Sequence, residues 1–185
     1  MTKADKMVHL LNPERFDEVF EIMKSSFPED EYRTYEEQKA LLSDEKYKIY
    51  VMTDEESKKI KAFIAAWDFG DFCFLEHFAV SPAFRNAGLG SHMFCETLEK
   101  IAKTVIFDVE VPDSEITKRR VGFYNRFGFV LNSYEYSQPS LSPDRKPVPL
   151  RMMTRNRRVS REEFELLKET AYSQMYGKYM SKGEK

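Results

Sequence analysis

Cysteine is scarce in this 185-residue chain: Cys73 and Cys95 are the whole supply, too few for a disulfide framework and without the paired spacing of a metal site. Histidine is thin as well, with His9, His77 and His92 scattered, so no metal centre is expected. No apolar run approaches the ~18 residues of a membrane span. The polar start, Met1-Thr2-Lys3-Ala4-Asp5-Lys6, leads into too short an apolar stretch for an export signal. Membrane association is therefore not expected, and the cytoplasm is the expected compartment. An excess of either charge is also missing: 29 Lys and Arg stand against 31 Asp and Glu, a formal net charge of −2. Without a basic field, nucleic-acid binding gains no electrostatic support. The chain carries no internal repeats.

What is present is apolar. The chain is 42% hydrophobic and 14% aromatic, enough to bury one sizeable core. A strand over residues 7–11 precedes Asn12, a helix cap followed by Pro13, whose missing amide costs nothing at a first helical position. Phe16, Val19, Phe20, Met23 and Phe27 recur at helical spacing until Pro28 and the acidic Glu29-Asp30-Glu31 break the pattern. Thr34-Tyr35-Glu36-Glu37 has the form of a capping box and predicts a short helix to about Ser43. Strands are predicted over 47–53, 60–68 and 72–80, then a helix with Leu89, Met93, Phe94, Leu98 and Ile101 on its buried stripe. A strand over 104–111, a helix over 114–127, a strand from Phe129 to about Tyr136 and a last strand over 148–154 follow. The division expected is a domain over 1–155 and, over 156–185, a linker and amphipathic helix. That helix opens at the box Ser160-Arg161-Glu162-Glu163, and its stripe Phe164, Leu167, Ala171, Met175 and Tyr179 could dock on the domain or on a partner such as a second copy.

Between strand and helix lies Arg85-Asn86-Ala87-Gly88-Leu89-Gly90. Glycines here remove side chains that hold a ligand away from the backbone, so successive amides at a helix start can point at one anion such as a diphosphate. Arg85 adds positive charge and Ser91 a hydroxyl, whereas the lysine and Ser/Thr pair of a nucleoside-triphosphate loop is missing. Taken alone, such a glycine pair reads more readily as structural, Gly88 easing a turn and Gly90 a helix start, and its context between strand and helix shifts that reading.

Leu75-Glu76-His77-Phe78-Ala79-Val80-Ser81-Pro82 followed by this Arg-x-x-Gly-x-Gly run closely resembles the acyl-CoA-binding strand, loop and helix of the GNAT superfamily. Phe123-Tyr124-Asn125-Arg126-Phe127-Gly128-Phe129 resembles its second signature, an aromatic pair on a helix before Gly-Phe. The stretches Tyr136-Ser137-Gln138-Pro139 and Lys146-Pro147-Val148-Pro149-Leu150 look like bacterial members. The resemblance implies an α/β (α+β) fold with a mixed, mostly antiparallel central sheet flanked by helices and a splayed strand pair forming the acyl-CoA cleft. It implies an N-acetyltransferase that moves acetyl from acetyl-CoA to a small-molecule or peptide amine by direct attack. A different-class alternative is a CoA-binding module without turnover. By the resemblance, Arg85, Asn86, Ala87, Gly88, Leu89, Gly90 and Ser91 hold the CoA diphosphate, and Phe78, Ala79 and Val80 pair with the pantetheine arm as an added strand. Thr117 stands where the family often has asparagine, and with Arg120 it would supply the helix's cofactor contacts.

Amine attack on a thioester needs a proton acceptor, and the leaving thiolate benefits from a donor. Tyr124 matches the family tyrosine near the sulfur; its plain alternative is packing against Phe123 and Phe127. Glu76 is a carboxylate inside an apolar strand, an expensive place unless paired, solvated or raised in pKa. It is the general-base candidate, against equally weighted readings in which it pairs with Arg85 or another basic residue or faces solvent on an edge strand. His77 falls on the opposite face if the strand is regular, as a packed residue. Asp108 and Glu110 share one face by period two, lining the cleft near the acceptor or facing solvent. Glu31, in the acidic loop, could draw a cationic amine, with Tyr32 as an apolar wall.

Overall fold

The computed structural model describes residues 8–85, 88–141 and 144–177. Eight strands form one sheet in the order β1-β2-β3-β4-β5-β8-β6, with β7 also pairing β8. These are β1 (Val8–Leu10), β2 (Tyr47–Thr53), β3 (Ile60–Asp68), β4 (Phe72–Val80), β5 (Thr104–Glu110), β6 (Phe129–Leu131), β7 (Tyr136–Gln138) and β8 (Val148–Arg155). Every pairing is antiparallel except β4 with β5. The mixed, mostly antiparallel sheet expected from the resemblance is thus the fold.

Five helices cover the sheet: α1 (Phe16–Lys24), α2 (Tyr35–Ala40), α3 (Leu89–Lys100), α4 (Glu115–Asn125) and α5 (Arg161–Met175). Their starts follow local chemistry. Asn12 accepts from the Glu14 amide ahead of a 3-10 turn, Thr34 and Glu37 form a reciprocal capping box, and the Ser160 hydroxyl accepts from the Glu163 amide. Two apolar clusters result. One holds α1 and α5 against the face carrying Phe63, Trp67, Phe74 and Ile106; the other holds α3 and Tyr124 of α4 against the face carrying Ile64, Leu75 and Phe107.

α5 belongs to the first of these clusters, with Phe164 and Ala171 fully buried. The helical stripe predicted for it is right in period but drifts at its end. Tyr172, Met175 and Tyr176 are buried and Leu167 is only partly so; Tyr179 lies outside the described residues. The single strand predicted from Phe129 to about Tyr136 is two. Asn132 breaks it, donating to the Met152 carbonyl and Thr154 hydroxyl and accepting from the Val159 amide.

The irregularity that matters is in β4. Its register against β3 runs Leu75 to Ala66 and then His77 to Ala65, so Glu76 is a surplus residue in a β-bulge. Side chains before and after the bulge change parity. Phe72 and Phe74 share a face with Ala79, while Phe78 and Val80 turn to the other cluster. The parallel pairing of β4 with β5 stops at Leu75 and Phe107, and the two strands part.

Candidate active site

The parting of β4 from β5 opens a cleft of about 360 Å³. Phe78, Val80, Gly90 and Tyr124 line it on one side, and Phe27, Glu31, Ala79, Gln138 and Tyr176 on the other. Past Leu75, β4 keeps β3 as a neighbour and has no strand on its cleft side among the described residues. That leaves an edge able to take an extended ligand.

The glycine loop stands at one end. Gly88 has φ +70°, a left-handed conformation that non-glycine residues adopt at a cost, and it opens α3 with no side-chain cap. Ser91 N–H already bonds the Gly88 carbonyl at 3.0 Å, whereas the Leu89 and Gly90 amides have no acceptor among the described residues, as expected at a helix start. A Cβ on Gly90 would lie 3.5 Å from both Phe78 and Val80, so this glycine packs close on β4. Arg85 folds back on the strand: its Nε donates to the Val80 carbonyl at 3.1 Å and its Nη2 to Ser26 Oγ at 3.2 Å.

Strand, glycine loop and parted pair together are matched by a family model, the acetyltransferase (GNAT) family, over residues 13–129. The chain belongs to this family. Among solved structures, a Bacteroides thetaiotaomicron protein classed as a GNAT acetyltransferase superposes with TM-score 0.83 at 27% identity, covering 92% of this chain and 98% of that one. The ribosomal-protein-S18-alanine N-acetyltransferase of Escherichia coli superposes with TM-score 0.61 at 18% identity, over 83% of this chain and 96% of that one. A Bacillus subtilis acetyltransferase in complex with CoA gives 0.58 at 13%, over 82% and 98%. No curated protein matches the sequence significantly.

Several residues expected at the GNAT site meet there. Tyr124 is nine-tenths buried among Phe94, Phe107 and Phe123, and its hydroxyl has no hydrogen-bond partner among the described residues. Burial pushes this phenol up to about 12, which keeps it a neutral donor. Asp108 and Glu110 both line the cleft, on the side of the first cluster. Asp108 accepts from the Tyr136 and Tyr172 hydroxyls, and burial raises it to about 8. Glu110 pairs with Arg120. Glu31 also reaches the cleft.

Others are already partnered or lie elsewhere. Glu76, expected as the base, reaches the cleft with its carboxylate already partnered. Burial works to raise its pKa, but Arg33 and its other partners prevail and hold it below the ordinary carboxylate value. Its oxygens accept from Arg33 at 2.7 Å, Trp67 Nε1 at 2.9 Å and the Tyr176 hydroxyl at 3.1 Å. A carboxylate so committed is a weak proton acceptor. Thr117 closes the α4 capping box with Ser114 and does not line the cleft. Tyr32 packs in the core, edge-on to Phe20, and is no wall of the cleft. Leu89 and Ser91 start α3 outside the lining; Asn86 and Ala87 lie outside the described residues.

His77 shares a face with Glu76 because of the bulge, against the regular-strand expectation. The two approach to 3.9 Å, while His77 Nε2 donates to the Glu31 carbonyl at 2.9 Å. Burial lowers the His77 pKa, so the ring is neutral. The sequence reading missed Arg33, Trp67, Gln138 and Tyr176. An isolated buried arginine carries no periodic signal, and Tyr176 lies one position off the stripe assumed for α5. A wider groove of about 1650 Å³ between α2 and α5 includes neither the glycine loop nor Tyr124, so the smaller cleft is the chemical candidate.

Proposed function

We propose that the protein is an N-acetyltransferase that moves acetyl from acetyl-CoA to a primary amine, of a small molecule or a peptide, by direct attack. The observation that carries this reading is the uncommitted Tyr124 hydroxyl, buried in a cleft between a free strand edge and a glycine-opened helix. The residues present fit the donor. The unpaired amides at the start of α3 would take the diphosphate, with Gly88 and Gly90 keeping the approach clear and Arg85 adding charge. The open edge over Phe78, Ala79 and Val80 would pair with the amide-bearing arm.

That placement brings the thioester towards Tyr124. As the amine nitrogen bonds to the acetyl carbon, the C–S bond breaks and the sulfur gathers negative charge, which the phenol meets with a hydrogen bond. Phe78, Phe94, Phe107 and Phe123 keep water from this end of the cleft. Glu31 and the Arg120-paired Glu110 put carboxylates on the opposite side, where a cationic acceptor would sit, while Asp108 stays protonated below about pH 8 and offers that acceptor hydrogen bonding rather than charge.

The test is thiol release from acetyl-CoA across polyamines, amino acids, aminoglycosides and lysine peptides. Turnover with at least one amine, lost in Tyr124→Phe, supports the enzyme. Calorimetric CoA binding with no turnover on any amine would favour a binding module instead.

A further inference from the structure

Three of the cleft carboxylates are already engaged: Glu76 by Arg33, Trp67 and Tyr176, Asp108 by two tyrosines, and Glu110 by Arg120. Glu31 differs. Its carboxylate lines the cleft with no hydrogen-bond or ion-pair partner among the described residues, while its main chain is held firmly. His77 donates to the Glu31 carbonyl, and two residues along the same loop Arg33 is clamped by Glu76 and by the Met175 carbonyl at 2.8 Å. Both grips on the loop, His77 and Glu76, come from adjacent residues that the β4 bulge turns to one face.

We infer that Glu31 is the proton acceptor for the incoming amine, with His77 and the Glu76–Arg33 pair as the positioning residues that hold it over the cleft. This rests on the acetyl-transfer reading above. A free carboxylate on a pinned backbone is what proton abstraction needs: an available lone pair, fixed in place. Its surroundings tune it in the useful direction. Burial, helped by Glu110 and Asp30 and opposed by Arg120, raises the Glu31 pKa to about 7. The other titratable groups lining the cleft are Arg85 beyond β4, Asp108 from β5, Tyr124 from α4, Tyr176 beyond α5 and, from β4, a neutral His77 and an ionised Glu76 neutralised by Arg33.

The step balances. The neutral amine attacks the acetyl carbon and a new N–C bond forms. Glu31 takes the proton shed by nitrogen, the C–S electron pair leaves with sulfur, and Tyr124 hydrogen-bonds or protonates the thiolate. Solvent then carries the proton from Glu31 to the CoA sulfur or back to the tyrosine, leaving amide and free thiol.

Two measurements test this. With acetyl-CoA and an amine found by the panel, kcat/KM should fall below an apparent pKa near 7. Glu31→Gln should remove that limb and lower kcat about 100-fold, Glu31→Asp should restore part of the rate, and calorimetric CoA affinity should stay within about twofold, since Glu31 is assigned to proton transfer and not to CoA. Independently of turnover, a 13C carboxyl titration should show one signal moving near pH 7 that is missing from Glu31→Gln. In His77→Phe that signal should return towards the ordinary glutamate range, which a merely structural histidine would not cause. A Glu31→Gln enzyme with its rate and acidic limb intact overturns the base assignment alone, as does a Glu31 carboxyl titrating in the ordinary range. CoA binding without turnover on any amine overturns the acetyl-transfer reading and this inference with it.

Discussion

Asp108 is the residue whose environment leaves the plainest mark on the fold as a whole. Its folded pKa of about 8 stands far above the ordinary aspartate value of about 4. Across that window the folded chain keeps a proton that the unfolded chain has released. Its contribution to stability is therefore full below about pH 4 and lost as pH rises through about 8. Asp108→Asn should flatten the fall in melting temperature between these limits; an unchanged slope would mean that another group sets it. Arg33 shows the converse. Arg33→Met leaves Glu76 charged and uncompensated in the interior, and chemical denaturation should find about 3–5 kcal/mol lost. Tyr124→Phe removes one hydroxyl that no other residue uses, so it should leave the melting point nearly unchanged while lowering kcat about 100-fold. At this scale the sequence was half legible. Period two put Asp108 and Glu110 on one face correctly, because β5 is regular. The same rule parted Glu76 from His77 wrongly, because a bulge has no signature in the apolar pattern.

At the scale of elements, the bounds of β2, β3 and β4 follow the alternation and turn residues of the chain, and α2 and α5 begin at their serine or threonine caps. The failures are long-range. Asn132 divides a strand through bonds to β8, which no local window contains. The glycine loop is legible because its requirement is local. At Gly88 a Cβ would meet nothing within 4 Å, so the cost of a side chain there is the left-handed backbone alone. Gly88→Ala should thus cost about 1–2 kcal/mol of local conformation and weaken calorimetric CoA binding about tenfold, without a cavity or clash. Unchanged affinity in the folded variant would remove the diphosphate from this loop.

For the whole molecule, the division drawn at residue 155 separates sequence but not core. Phe164, Ala171, Tyr172 and Met175 are buried in the cluster that also holds α1, and the end of the helix fixes Arg33. A chain ending at residue 155 should lose cooperative unfolding by circular dichroism, whereas an intact transition would show an autonomous domain. The cleft also joins the two faces of the sheet, with CoA assigned to the α3 side and the carboxylates on the α1 side. Neither cysteine lines it, so no thiol is placed to carry the acetyl group. Initial-velocity lines for the two substrates should accordingly intersect, and parallel lines would reveal a covalent carrier.

All of this hangs on one codon. Glu76 is the surplus residue of β4, and the pairs on either side of it would keep their β3 partners without it. An in-frame deletion of that triplet would let β4 run straight beside β5, filling the gap with ordinary sheet and stranding Arg33 without a counter-ion. The gain or loss of a single amino acid would thus separate a sheet with an open cleft from one that is merely closed.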